Sequence, residues 1–274
     1  MGNVVSSPLY EHETTLDFIR FELSLEYTFV ENWDVWLRVP YEIKSQRVGY
    51  TQVEPVSIED VLNQRRHVQA HHRTETYEGL SDLMVLVAPR WTSVITEGDV
   101  LTLAWGFTLP TGQTERDSVK KGRAGEKHLH IQFGSGTVDP LLEAYYAAPL
   151  PLDFGVSGFV NGRFPFYENP KTYRASLEIT SGLRCGYSIT PWLNVGAELT
   201  LFWQSPAYWD GTRDPNSGLI TLLGGVGVVL NPGAGFMLTL GGRLPLVQQS
   251  LSSEEDTFEQ GLSLSASVSW TGGL

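Results

Sequence analysis

The chain has 274 residues, 41% of them hydrophobic and 18% charged, and no uncharged apolar run reaches the roughly eighteen residues that a transmembrane helix requires. Its formal charge of -12 argues against nucleic-acid partners, and its single cysteine, Cys185, excludes an internal disulfide. The length suits one all-β domain covering residues 1–274, and all-β barrels commonly reach this size as a single unit.

Residues 1–5 show no basic segment followed by an apolar one. An exported protein needs such a leader, so the chain reads as a mature form. From residue 16 to 29, Ile19, Phe21, Leu23, Leu25, Tyr27 and Phe29 alternate with Arg20, Glu22, Ser24, Glu26 and Thr28, the period-two signature of a strand with one dry face. After a tight turn at Glu31-Asn32 the pattern returns, with Val35, Leu37, Val39, Tyr41 and Ile43 set against Asp34, Arg38, Glu42 and Lys44. The two segments predict a hairpin. The same reading continues over residues 80–94, 100–111, 129–147, 152–166, 173–189, 193–205, 219–230, 236–246 and 258–270, giving eleven strands. In the fifth, the apolar parity changes between Phe133 and Val138, and a bulge at Gly134 and Gly136 would restore it and turn Asp139 and Glu143 inward.

Connections alternate in length. Residues 96–99, 148–151, 190–191 and 231–234 are tight, whereas residues 50–79, 112–128, 167–172, 206–217 and 248–257 are long and polar. Short periplasmic turns and long extracellular loops are the pattern of an outer-membrane barrel. The first and last of the eleven strands then run in the same direction. An even count near twelve requires one more, which residues 3–10 would supply; the alternative is that residues 1–14 plug the lumen.

A soluble sandwich or lipocalin-like barrel also alternates, with its apolar side chains inward. Here the polar parity combines small residues with mid-strand charge in which Arg outnumbers Lys, as expected where Arg-carboxylate pairs line a polar interior. Trp33, Trp91, Tyr146, Tyr187, Trp192, Trp203 and Trp270 fall near strand ends, where interfacial girdles form. The fold expected is therefore an all-β, transmembrane antiparallel β-barrel of about 12 strands in a bacterial outer membrane, facing bilayer lipid and lipopolysaccharide.

Three segments carry a family resemblance: Gly79-Leu80-Ser81-Asp82-Leu83, Leu109-Pro110-Thr111-Gly112, and Gly134-Ser135-Gly136-Thr137-Val138-Asp139-Pro140-Leu141. In this order and spacing the chain resembles the outer-membrane proteins named after the MetA-type pathway of phenol degradation, a family assigned to transport. The resemblance implies a barrel of this size that passes small hydrophobic or aromatic compounds.

The residues expected to line the lumen are Arg20, Glu22, Glu26, Arg38, Glu42, Arg90, Asp139, Glu143, Arg163, Arg174, Glu178, Arg184, Glu198 and Arg243. They would either fill a narrow barrel with ion pairs or border a path for a small-molecule solute. His67, His71 and His72 lie in the first long loop, with His67 and His71 one turn apart on a short helix opened by a Ser57 cap. No carboxylate or cysteine completes a ligand set by spacing, so the loop reads as solvated and no metal or cofactor is expected. A phospholipase would need a serine and a histidine, and Ser135 with His130 is the nearest pair in sequence. It lacks a nucleophile setting, so no catalytic residue is assigned. The remaining alternative is a structural barrel that anchors or encloses a partner protein of the envelope.

Overall fold

A computed structural model of the chain describes residues 10–70, 74–115, 120–121, 124, 131–215, 217–252 and 260–272. Twelve strands form one antiparallel sheet. They are β1 (Tyr10–Val30), β2 (Trp33–Gln52), β3 (Glu75–Leu80), β4 (Leu83–Thr92), β5 (Val100–Leu109), β6 (Pro140–Pro149), β7 (Phe154–Arg163), β9 (Glu178–Thr190), β10 (Leu193–Gln204), β13 (Leu219–Gly233), β14 (Phe236–Ser250) and β15 (Ser263–Trp270). Between them lie one helix, α1 (Ile58–Ala70), and a separate small sheet of β8 (Tyr173–Arg174), β11 (Tyr208–Trp209) and β12 (Thr212–Arg213). No helix among the described residues is long and apolar enough to cross a membrane.

Both β3 and β4 pair with β2, and they continue one another across Ser81 and Asp82. Among the described residues the wall therefore has eleven spans, the number expected from the alternation. The path runs from β1 to β15 in chain order. Tight turns with positive φ join β1 to β2 at Asn32, β6 to β7 at Leu152 and Asp153, and β13 to β14 at Ala234, flanked by Gly233 and Gly235. The twelfth strand expected over residues 3–10 and the lumen plug expected over residues 1–14 fall largely on residues 1–9, outside the described residues, while residues 10–14 belong to β1. Tyr10 belongs to β1, opposite Gln52, so the first strand is longer than its alternation suggested.

The outward parity is apolar and open. On β1, Ile19, Phe21, Leu23, Leu25, Tyr27 and Phe29 are all exposed, as are Leu264, Val268 and Trp270 on β15. In water this much exposed apolar surface would be strongly unfavourable. The band from Ile19 to Phe29 covers ten residue steps, about 34 Å along the strand and about 26 Å along the membrane normal at a 40° tilt, which matches a bilayer's apolar height. Beyond it the outward parity turns polar and carries the Asp17–Arg47 ion pair at 2.8 Å. An apolar depression of about 840 Å³ on the outer wall, bordered by Phe154, Tyr187, Val226, Leu240 and Leu264, belongs to this lipid-facing surface.

The sheet curls so that the polar parity of its middle strands faces a shared interior, and among the described residues β1 and β15 stand as its two edges, not paired with one another. Arg38 on β2 and Glu143 on β6 are separated by β4 and β5, roughly 14 Å along a flat wall, yet their side chains bond directly. Within the curl lies a small apolar core of Trp36, Leu86, Ala88, Ala104 and Leu141, with Met84 and Tyr145 packed against it.

Two expected segments differ from the structure. The fifth strand begins at Pro140, not near residue 129, and residues 131–139 form an irregular segment rather than a bulged strand. Likewise, β8 and β9 are separate, and Arg174 lies in the separate small sheet, its guanidinium 4.1 Å from the centre of the Tyr208 ring. The strand expected over residues 173–189 is interrupted because Tyr173 and Arg174 pair with β11 instead of β10.

Candidate functional site: the interior face

The interior charges pair mostly along the wall, within a strand, between neighbouring strands, or, for Arg243 and Glu198, over the glycine of the strand between them. Arg20 bonds Glu22 at 2.6 Å and lies 3.5 Å from Glu42, which also takes Lys44 at 2.9 Å. Arg90 lies 3.6 Å from Asp34, and Arg243 Nε lies 2.5 Å from Glu198. Glu26 sits level with Trp36, with Asp34, Arg38 and Arg90 as its charged neighbours. Glu178 accepts from Gln204 Nε2 at 2.7 Å and stands opposite Arg163. The exception is Arg38, whose two Nη groups reach across to Glu143 at 2.7 and 2.8 Å. The Tyr145 hydroxyl donates to the same carboxylate at 2.7 Å, and Arg38 lies 5.2 Å from the Trp36 ring centre. A bidentate pair of this kind combines geometric specificity with charge-assisted bonding.

A second cluster draws together the three segments that carry the family resemblance. Asp82 accepts from Gly112 N at 3.0 Å, Ser135 N at 2.8 Å, Ser135 Oγ at 3.1 Å and Arg163 Nη2 at 3.1 Å. Asp139 accepts from Thr137 Oγ1 at 2.5 Å and Arg163 Nε at 2.9 Å, while its own amide donates to Thr108 Oγ1 at 3.0 Å. Both carboxylates are buried. Gly112 and Gly134 cross so closely that a Cβ on Gly112 would lie 2.7 Å from Gly134 Cα, which explains glycine at the crossing. The cluster fastens the segment before β6 to the junctions at the upper ends of β4 and β5. Ser135 is buried and bonded to Asp82 and Thr137 O, so its hydroxyl is a structural group, not an exposed nucleophile. His130 lies outside the described residues, as do His71, His72 and His128.

The wall from β9 to β15 has a different character. Its inward positions are mostly small: Gly182 and Gly186, Gly196 and Thr200, Gly225 and Gly227, Thr239 and Gly241, then Ser263, Ser265, Ser267 and Ser269. Five glycines align across neighbouring strands, Gly155 with Gly186, Gly196, Gly227 and Gly241, and Ser265 continues the row. The interior therefore has a bulky half, with Trp36, Leu86, Tyr145 and Phe159, and a half paved with glycine and serine. The aromatic part of the bulky half is continuous, since Tyr145 packs on Trp36 at 5.8 Å and on Phe159 at 6.3 Å. Sequence reading did not single out the glycine row, because the alignment depends on register between strands.

Outside the spans, α1 starts as expected: Ser57 Oγ accepts from Asp60 N at 3.2 Å and Asp60 Oδ2 accepts from Ser57 N at 2.9 Å. The Ser57 hydroxyl, which donates to Asp60 Oδ2 at 2.6 Å, and the Ser57 amide hold the Asp60 carboxyl below its ordinary value. At the turn between β4 and β5, burial pushes the Asp99 carboxyl up, but the amides of Thr96, Ile95 and Val94 and the Tyr146 hydroxyl outweigh it and hold it at about 2.

No protein-family model matches the chain, and comparison with curated proteins finds no match. Among solved structures, the chain is similar to the crystal structure of the COG4313 outer membrane channel from Pseudomonas putida F1, with a TM-score of 0.56 and 15% identity. The similarity covers 93% of this chain and 82% of that one. At this identity the shared property is the fold, an antiparallel outer-membrane-type β-barrel.

Proposed function

We propose that this chain is an outer-membrane channel that passes small solutes, hydrophobic or aromatic ones among them, along the interior of its barrel. The observation that carries the proposal is the division of the interior face. One half is packed with ion pairs and aromatic rings, and the other, apart from Arg184, Glu198, Phe202, Leu223 and Arg243, is kept low by small residues, chiefly glycine and serine, on five adjoining strands. A barrel that needed only to be filled would place larger side chains there, since empty interior forfeits packing contacts. The bulky half presents both chemistries that such a solute requires: the aromatic faces of Trp36, Tyr145 and Phe159, and the polar edge formed by Arg38 and Glu143. The fold shared with an outer membrane channel supports the reading, as does the resemblance to the phenol-degradation transport family.

Reconstitution tests it. Purified protein in planar bilayers should give discrete conductance steps, and proteoliposomes containing it should swell in small neutral solutes such as phenol faster than protein-free ones. A folded, heat-modifiable barrel that is silent in both assays would refute the proposal.

A further inference from the structure

The row next to the aligned glycines holds charge in unequal amounts. Arg184, Glu198, Gly225, Arg243 and Ser263 stand opposite one another on β9, β10, β13, β14 and β15, two guanidiniums with one carboxylate. Glu198 is committed to Arg243, whose Nε lies 2.5 Å away. Arg184 turns from it, and its Nη2 donates to the amide oxygen of Asn194 at 3.1 Å. Among the described inward cations of the spans, Arg20, Arg38, Lys44, Arg90, Arg163 and Arg243 each have a carboxylate within 4 Å, and Arg184 has none.

The glycines explain the posture of Arg184. A Cβ at Gly196 would lie 2.7 Å from Arg184 Nε, and one at Gly227 would lie 3.9 Å from its guanidinium carbon. Arg184 therefore lies along a wall that has no side chains beneath it. Arg184 stands on the inward parity and its described side-chain bond is the one to Asn194, so its guanidinium retains donors with which a carboxylate can form the forked geometry that arginine favours.

We propose that Arg184, positioned by Asn194, Gly196 and Gly227, is the contact for a small organic carboxylate on the interior path, with Glu198 and Arg243 setting how strongly the anion is held. This rests on the channel reading above and adds a substrate class and a specificity-determining residue to it.

The test uses the purified barrel in planar bilayers in KCl, with sodium benzoate as the probe and benzamide as its uncharged counterpart of similar shape. Benzoate should reduce the single-channel current saturably, whereas benzamide at equal concentration should not. R184Q should raise the half-blocking concentration by about tenfold or more, consistent with loss of a charge-assisted bond. E198Q should lower it, because one competing negative charge leaves the row; a purely structural role for Arg184 would not predict that opposite change. Equal block in the wild type and R184Q, or equal block by benzamide, overturns the assignment. If no conductance is seen and proteoliposomes do not swell, the channel reading fails by itself. Calorimetric titration of the folded protein with benzoate then decides the site: binding that R184Q abolishes upholds it, and absent or R184Q-insensitive binding removes it.

Discussion

Replacing Arg163 by Met should be among the most damaging single changes in the protein, because one guanidinium serves two buried carboxylates. Arg163 Nη2 lies 3.1 Å from Asp82 and 2.7 Å from Asp139, whose side chains are 2% and 0% exposed. Removing one partner of a buried ion pair costs about 3–5 kcal/mol, since the charge left behind has lost water without compensation. Asp82 keeps the Gly112 and Ser135 donors and Asp139 keeps Thr137, which places the expected loss near the lower end, about 3 kcal/mol. That corresponds to roughly a hundredfold change in the unfolding equilibrium. Reversible urea unfolding in lipid vesicles, followed by tryptophan fluorescence, reads it directly. A loss below about 1 kcal/mol would refute the reasoning, as that is the range of exposed pairs. The triple variant D82N/D139N/R163M should recover most of the loss, because no uncompensated charge remains.

Two further outcomes follow from the loops and turns. The Asp99 carboxyl sits at about 2, below its ordinary value near 3.9, so its support of the 93–99 turn is complete above about pH 4 and is lost as the pH falls toward 2. Protection factors of the Val94, Ile95 and Thr96 amides should drop across that window, and D99N should lower them at neutral pH and abolish the step. At α1, Ser57→Ala removes the side-chain acceptor for Asp60 N and should cost about 1 kcal/mol of local helix stability. Faster amide exchange over Glu59–Val61, with the barrel's overall unfolding unchanged, would show it.

Much of this architecture was legible from alternation alone, because a side-chain period of two assigns each strand a face irrespective of its neighbours. That is why Ile19 to Phe29 were read as outward and Arg20, Glu42 and Glu143 as inward. Two features escaped for a common reason: they depend on what lies beside a strand. The segment before Pro140 looks like strand until Asp82 and Arg163, distant in sequence, claim Ser135 and Asp139. Arg174 sits in a strand-like run but pairs with β11 in the separate small sheet. The aligned glycines were the most recoverable of the missed features. Gly186 and Gly196 lie four and three residues from the strand ends at the turn between β9 and β10, and Gly227 and Gly241 six and five from those between β13 and β14, so turn length brings their register to within one residue and an irregular pair in each hairpin supplies the rest. Even then, the exclusive pairing of Glu198 with Arg243 rather than Arg184 is a matter of rotamers, which no pattern of residue types encodes.

The central claim, that the serine and glycine parity of β9 to β15 borders a water-accessible path while the opposite parity faces lipid, is tested most directly by cysteine scanning of β15. In a Cys185→Ser background, single cysteines are placed at Ser263, Ser265 and Ser267, and at Leu264, Ala266 and Val268. A charged, membrane-impermeant thiol reagent is then applied while single-channel current is recorded. The account predicts rapid modification with a stepwise fall in current at the three serine positions, and neither effect at the three apolar ones. Modification of the apolar set instead, or modified serine positions with unchanged current, would contradict it.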